Sequence, residues 1–151
     1  MSDNIEPGDL QVFLSSSPEG RELVPAVARK LKASGYRVFD PSESIEIGGD
    51  WYDKTREALE KSNAMVALLT PNSSGSRHLN REIEHALFDQ RYEGRLLPVL
   101  VRDTGQDLRD VPSVLRRIQL LQLDPKQSPE LMAEEVTSKF RELIQTGRAI
   151  P

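Results

Sequence analysis

The segment AMVALLT, residues 64–70, is an unbroken apolar run that ends in a threonine. A strand with one face in water alternates apolar and polar side chains, whereas a run such as Met65 to Leu69 is typical of a strand buried on both faces. Such strands occur where helices cover both faces of a parallel sheet. The segment therefore predicts α/β architecture.

Four further segments of strand length accompany this run, and amphipathic helical patterns lie between them. Right-handed crossovers leave few topologies for such an alternation, and the flavodoxin-like strand order 2-1-3-4-5 is the commonest. We predict a five-stranded parallel sheet in that order, with helices on both faces. The five strand candidates are Leu10 to Ser15, Tyr36 to Asp40, Ala64 to Thr70, Leu96 to Val101 and Ile118 to Leu123.

The first and last helical patterns have clear ends. The first stops at Ser34 and Gly35, where glycine supplies the left-handed cap. Pro25 places the start of this helix near Glu22, with the proline in the first turn, unless the helix is kinked there. The last helix opens with Ser128 and Pro129, a capping residue followed by proline at the first helical position.

Length and composition are those of one ordinary globular domain. The chain has 151 residues, of which 37% are hydrophobic and 29% charged, and this is enough to bury a single core. We expect one domain over residues 1–151. Its ordered core covers residues from about 8 to 146, and 147–151 form a tail or the start of a linker.

Several kinds of site and partner are disfavoured. The chain has no cysteine, and its two histidines, His78 and His85, lack the spacing of a helical metal pair. The net charge is −4, without a block of Lys or Arg that could follow a phosphate backbone. No apolar run approaches the roughly 20 residues of a membrane span. We therefore predict a cytoplasmic protein with no metal or cofactor that binds neither nucleic acid nor membrane.

The predicted topology also indicates where a ligand would bind. In the order 2-1-3-4-5 the chain reverses direction between strands one and three, a position called the switch point. Ligands bind there, outside the carboxyl ends of those two strands. Ser15, Ser16 and Ser17 lie at the first end and Thr70 at the second. Serines are also common at strand ends and helix caps without any ligand. The fingerprints G-x-G-x-x-G, G-x-x-x-x-G-K-[ST] and G-x-S-x-G are all absent.

The segment SRHLNREIEHAL, residues 76–87, contains two glutamates within one predicted helix. If that helix begins near residues 77–79, its apolar stripe is Leu79, Ile83, Ala86 and Leu87. Glu82 then borders the stripe on the side of His78 and His85, whereas Glu84 faces solvent. The helix macrodipole alone can explain a glutamate here. If one of the two carboxylates faces a crevice, it is Glu82.

The connection PSESIEIGGDW, residues 41–51, is long and mostly polar. Ile45 and Ile47 alternate with charged residues, which indicates an exposed edge that a partner could cover. Gly48 and Gly49 are also compatible with a plain surface loop. Trp51 is more typical of a core anchor than of a stacking platform.

Three motifs in order resemble those of a bacterial Toll/interleukin receptor (TIR) domain. They are VFLSSS at residues 12–17, VFDPSESIEIGGDW at 38–51 and ALLTPNSSGS at 67–76. The resemblance implies a flavodoxin-like fold, self-association and, as in many bacterial members, cleavage of the nicotinamide–ribose bond of NAD+. It implies that Glu82 is the essential glutamate. His78 occupies the position of an aromatic residue, usually tryptophan, and Ser16 stands where many relatives have an aromatic or basic residue.

The resemblance further implies an immune effector or signal generator that uses NAD+ as substrate and yields ADP-ribose or a cyclic product. Its partners would be other TIR domains and a sensor domain or protein. We expect Glu82 to be ionised because it lies near a helix N-terminus. A non-catalytic interaction module and a nucleoside deoxyribosyltransferase-like enzyme are the alternatives. The implied substrate-binding residues are Ser15, Ser16, Ser17, Asp40, Trp51 and His78, and the implied assembly loop contains Ile45, Ile47, Gly48 and Gly49.

Overall fold

A computed structural model describes residues 6–40, 51–70, 77–101, 115 and 120–146. Its five parallel strands form one sheet in the order β2-β1-β3-β4-β5. The predicted topology is therefore confirmed. The strands are β1 (Gln11–Ser16), β2 (Arg37–Phe39), β3 (Ala64–Leu69), β4 (Leu96–Val101) and β5 (Leu121–Leu123).

The ends of the predicted strands need small corrections. β1 begins and ends one residue later than predicted, at Gln11 and Ser16. β5 includes only the last three residues of the predicted segment, and Ile118 lies outside the described residues. Boundaries of this kind are weakly encoded, because the last residue of a strand is decided by its pairing with the neighbouring strand. Val12 to Ser16 of β1 pairs with Ala64 to Leu68 of β3.

Four α-helices connect and cover the sheet within the described ranges. They are α1 (Val24–Ala33), α2 (Trp51–Lys61), α3 (Arg77–Phe88) and α4 (Pro129–Thr146). A 3-10 helix, Pro18–Leu23, precedes α1, so α1 begins two residues after Glu22 and Pro25 lies in its first turn. The Ser128 hydroxyl accepts a hydrogen bond from the Leu131 N–H, which confirms the predicted cap of α4. No described helix is both long and apolar enough to cross a bilayer.

Gly35 ends α1 in a left-handed conformation, with a φ of +97°. A side chain at this φ is strained, and a Cβ atom would lie 3.2 Å from Cβ of Pro7. We expect Gly35→Ala to lower the free energy of unfolding by about 1 to 2 kcal/mol, measured by urea denaturation. Gly8→Ala is the matched control, because nothing lies within 4 Å of its added Cβ. Equal stability of the two variants would contradict the assigned cap.

The core consists of two layers, one on each face of the sheet. Side chains of β1 and β3 alternate between the layers, as the period of a strand requires. Val12, Leu14, Val66 and Leu68 pack with α1 and α4. Phe13, Met65, Ala67 and Leu69 pack with α2 and α3. Every residue of β3 is buried, which confirms the prediction that this run forms a strand buried on both faces.

Candidate functional site

The carboxyl ends of β1 and β3 are bonded to each other at the predicted switch point. The Ser17 N–H donates to the Leu68 carbonyl at 3.1 Å, and the hydroxyls of Ser17 and Thr70 are hydrogen bonded at 2.9 Å. Both side chains are buried. The two hydroxyls therefore join the strand ends to each other.

Ser15 and Glu82 form the central contact of the site. Ser15 lies two residues after Phe13 on β1, so its side chain faces the layer that contains α3. On α3, Leu79, Ile83 and Ala86 are buried against the sheet, and Glu82 lies beside them. The Ser15 hydroxyl donates to Oε1 of Glu82 at 2.6 Å. Ser15 is 0% exposed and Glu82 only 4%.

Burial raises the pKa of Glu82 to about 7, because the anion loses its hydration, while the Ser15 hydrogen bond and the charge of Arg81 lower it by less. The helix N-terminus was expected to favour the ionised form of Glu82, but burial has the larger and opposite effect on its pKa. Glu82 is the sixth residue of α3, and the dipole effect falls off within the first turn. Desolvation therefore has the largest effect on the pKa of Glu82.

A cavity of about 230 Å³ lies beside Glu82 between α2 and α3. Among the seven described residues that line it, Glu82 is the single acidic one, beside two arginines and two histidines. No group of three or more metal-ligating side chains occurs in the part of the chain that the structure describes. The lining residues are Thr55, Arg56, Leu59, His78, Arg81, Glu82 and His85.

The other residues implied by the resemblance are placed as follows. His78 is half-buried and lines the Glu82 cavity. Asp40 is buried just after β2. Ser16 is half-buried, and the alternation along β1 directs it to the opposite face from Ser15. Trp51 is the first residue of α2, but the structure does not describe its side chain. The residues of the implied assembly loop lie outside the described residues: Ile45, Ile47, Gly48 and Gly49.

Helix α2 contributes a wall of the cavity that the sequence motifs do not indicate. Thr55 and Leu59 are four residues apart on the buried stripe of α2, and Arg56 lies next to them. A buried threonine in an otherwise apolar stripe was the available signal. Arg81 and His85, also in the wall, lie one residue before and three residues after Glu82 on α3.

The fold and this site define a doubly wound α/β domain with a buried carboxylate at its switch point. A family model described as "TIR domain" matches residues 12–136, and the chain belongs to that family.

One curated relative and several solved structures are similar to this chain. A protein of Methanobrevibacter olleyae, named "Probable 2' cyclic ADP-D-ribose synthase TcpO", is 22% identical over 147 residues. The match covers 97% of this chain but only 42% of that protein. The TIR domain of the Toll-related receptor TRR-2 from Hydra magnipapillata has a TM-score of 0.63 at 19% identity, covering 88% of this chain and 97% of that one. A chain of the RPS4 and RRS1 TIR domain heterodimer has a TM-score of 0.62 at 17% identity, with the same coverage. These two structures support the fold.

Proposed function

We propose that the protein cleaves the bond between nicotinamide and ribose in NAD+, and that Glu82 is the carboxylate that stabilises the reacting sugar. The observation that carries this proposal is the buried Glu82, which is bonded to Ser15 of β1 and lines a cavity between α2 and α3. Membership of the TIR family and the name of the relative from Methanobrevibacter olleyae support it.

One carboxylate is sufficient for this reaction. Most glycoside hydrolases need a second carboxyl group, because an alkoxide leaving group must be protonated. Nicotinamide is neutral once the bond from ribose C1′ to its ring nitrogen breaks, because that nitrogen keeps the electron pair. The remaining sugar is cationic, and an ionised carboxylate beside it lowers the barrier electrostatically.

Two outcomes follow from the sugar cation. Addition of water to C1′ with loss of a proton gives ADP-ribose. Addition of a nucleophile within the ADP-ribose unit, again with loss of a proton, gives a cyclic product. A site that limits the access of water favours the second outcome. Within this proposal the protein is a defence effector or signal generator activated by self-assembly.

A non-catalytic interaction module is the second candidate. Phe88, at the end of α3, is 85% exposed, so its apolar ring is open to a partner. An exposed aromatic on this helix supports contact with another TIR domain. The two candidates differ in one measurable property, because only the first releases nicotinamide from NAD+.

The test is incubation of concentrated protein with NAD+ between pH 5 and 9, with nicotinamide and ribosyl products measured by chromatography. The proposed reaction needs the ionised form of Glu82, whose pKa burial raises to about 7. We therefore expect kcat/KM to rise about tenfold per pH unit up to about pH 7 and then to level off. No turnover under crowded conditions, together with concentration-dependent oligomers, would favour the interaction module. Exchange of bases between deoxynucleosides would indicate the deoxyribosyltransferase alternative.

A further inference from the structure

Ser15 is more enclosed than a residue that binds substrate directly would be. Its side chain is 0% exposed, and it is absent from the residues that line the Glu82 cavity. A serine hydroxyl has one hydrogen to donate, and that of Ser15 is directed to Oε1 of Glu82 at 2.6 Å. The hydroxyl is therefore already used within the protein.

The two bonded residues lie on rigid parts of the fold. Ser15 is within β1 and in register with Ala67 of β3, whose residues are all buried. Glu82 is held on α3 between Leu79 and Ile83, which are 0% and 1% exposed. A bond between two such elements fixes a side chain more closely than a bond to a loop can.

We infer that Ser15 is a positioning residue, whose hydroxyl holds one carboxylate oxygen of Glu82 so that the other oxygen faces the cavity and the sugar. This inference rests on the proposed NAD+ cleavage and assigns Ser15 a role in it other than substrate binding. A donated hydrogen bond also favours the ionised carboxylate over the neutral acid. Ser15 thus sets both the direction and the charge of Glu82.

Other charged or titratable side chains line the same cavity as Glu82, and their effects must be separated from that of Ser15. Among the described residues of the cavity wall they are Arg56 on α2 and His78, Arg81 and His85 on α3. The charge of Arg81 lowers the pKa of Glu82, but by less than the Ser15 hydrogen bond does. Removing the Ser15 hydroxyl leaves all four side chains unchanged, so the variant isolates the hydrogen bond.

The test compares Ser15→Ala and Ser15→Cys with the wild-type protein. The first readout is the titration of the Glu82 carboxyl carbon by NMR without NAD+, assigned by its loss in Glu82→Gln. The second is the pH profile of nicotinamide release. We expect Ser15→Ala to move both midpoints upward by about one pH unit and to lower the rate at pH 7 about fivefold or more. The midpoints of Ser15→Cys should lie between those of the wild type and Ser15→Ala, because a thiol is a weak donor.

Ser62→Ala is the matched control for lost stability. Ser62 is also 0% exposed, and its hydroxyl accepts a hydrogen bond from Nε2 of Gln11 at 2.9 Å. Ser62 lies just before the amino end of β3, whereas Glu82 contacts Ser15 near the carboxyl end of β1. We expect this variant to lose stability without moving either midpoint.

An unchanged Glu82 titration in Ser15→Ala would overturn the inference, as would a shifted titration with an unchanged activity profile. Failure of the proposed function has a different signature. It would show as a wild-type protein that releases no nicotinamide, whatever the NMR titration of Ser15→Ala.

Discussion

Replacing Glu82 with glutamine is expected to lower the rate of nicotinamide release at least a hundredfold. A carboxylate about 4 Å from a positive charge contributes about 4 kcal/mol at an effective dielectric constant near 20, which corresponds to roughly a thousandfold in rate. Among the described residues that line the cavity there is no second acid that could replace it. Glutamine keeps the size of the side chain and an oxygen that can accept from Ser15, so the charge is the main loss.

Glu84→Gln is the control for this prediction. Glu84 is on the same helix, two residues further on, and is exposed. The same chemical change there should alter the rate less than twofold. Unchanged far-UV circular dichroism in both variants would show that the fold is intact. A Glu82→Gln protein with wild-type turnover would exclude Glu82 as the essential carboxylate.

The second large effect is on how the free energy of unfolding depends on pH. Glu82 titrates near pH 7 in the folded chain and near about 4.3 when unfolded. Between these values the unfolded chain has released the proton that the folded chain still holds, so stability falls as pH rises. From pH 5 to pH 8 the wild-type free energy of unfolding should fall by about 2 to 3 kcal/mol relative to Glu82→Gln.

Urea denaturation at a series of pH values measures this difference. The loss begins above about pH 4.3 and is nearly complete above about pH 7, where both states are ionised. Glu84→Gln should follow the wild-type curve, because Glu84 is exposed. Parallel curves for the wild type and Glu82→Gln would mean that burial does not raise the pKa of Glu82.

The burial of the Glu82 carboxyl underlies both expected effects. The buried carboxyl that stabilises the sugar cation in the proposed reaction also destabilises the folded protein at the pH where it is ionised. Functional groups held in such costly environments are common in active sites. We therefore expect Glu82→Gln to lose most of the activity and to gain stability relative to the wild type as the pH rises from 5 to 8.

The sequence by itself determined the topology and the orientation of α3. The buried run from Met65 to Leu69 and the alternation of strands with helices were sufficient for the order 2-1-3-4-5. The stripe through Leu79, Ile83 and Ala86 placed Glu82 on the inner side and Glu84 on the outer side. These features follow from hydrophobic periodicity, which a linear sequence displays directly.

Only the tertiary structure decided the partner and the charge of Glu82. Ser15 and Glu82 are 67 positions apart, and no local pattern indicates that their side chains meet at 2.6 Å. In the sequence, the charge of Glu82 is indicated only by its nearness to a helix end, which favours the ionised form. Its pKa instead depends on the water excluded by β1, α2 and α3 together, because desolvation depends on every neighbour in space.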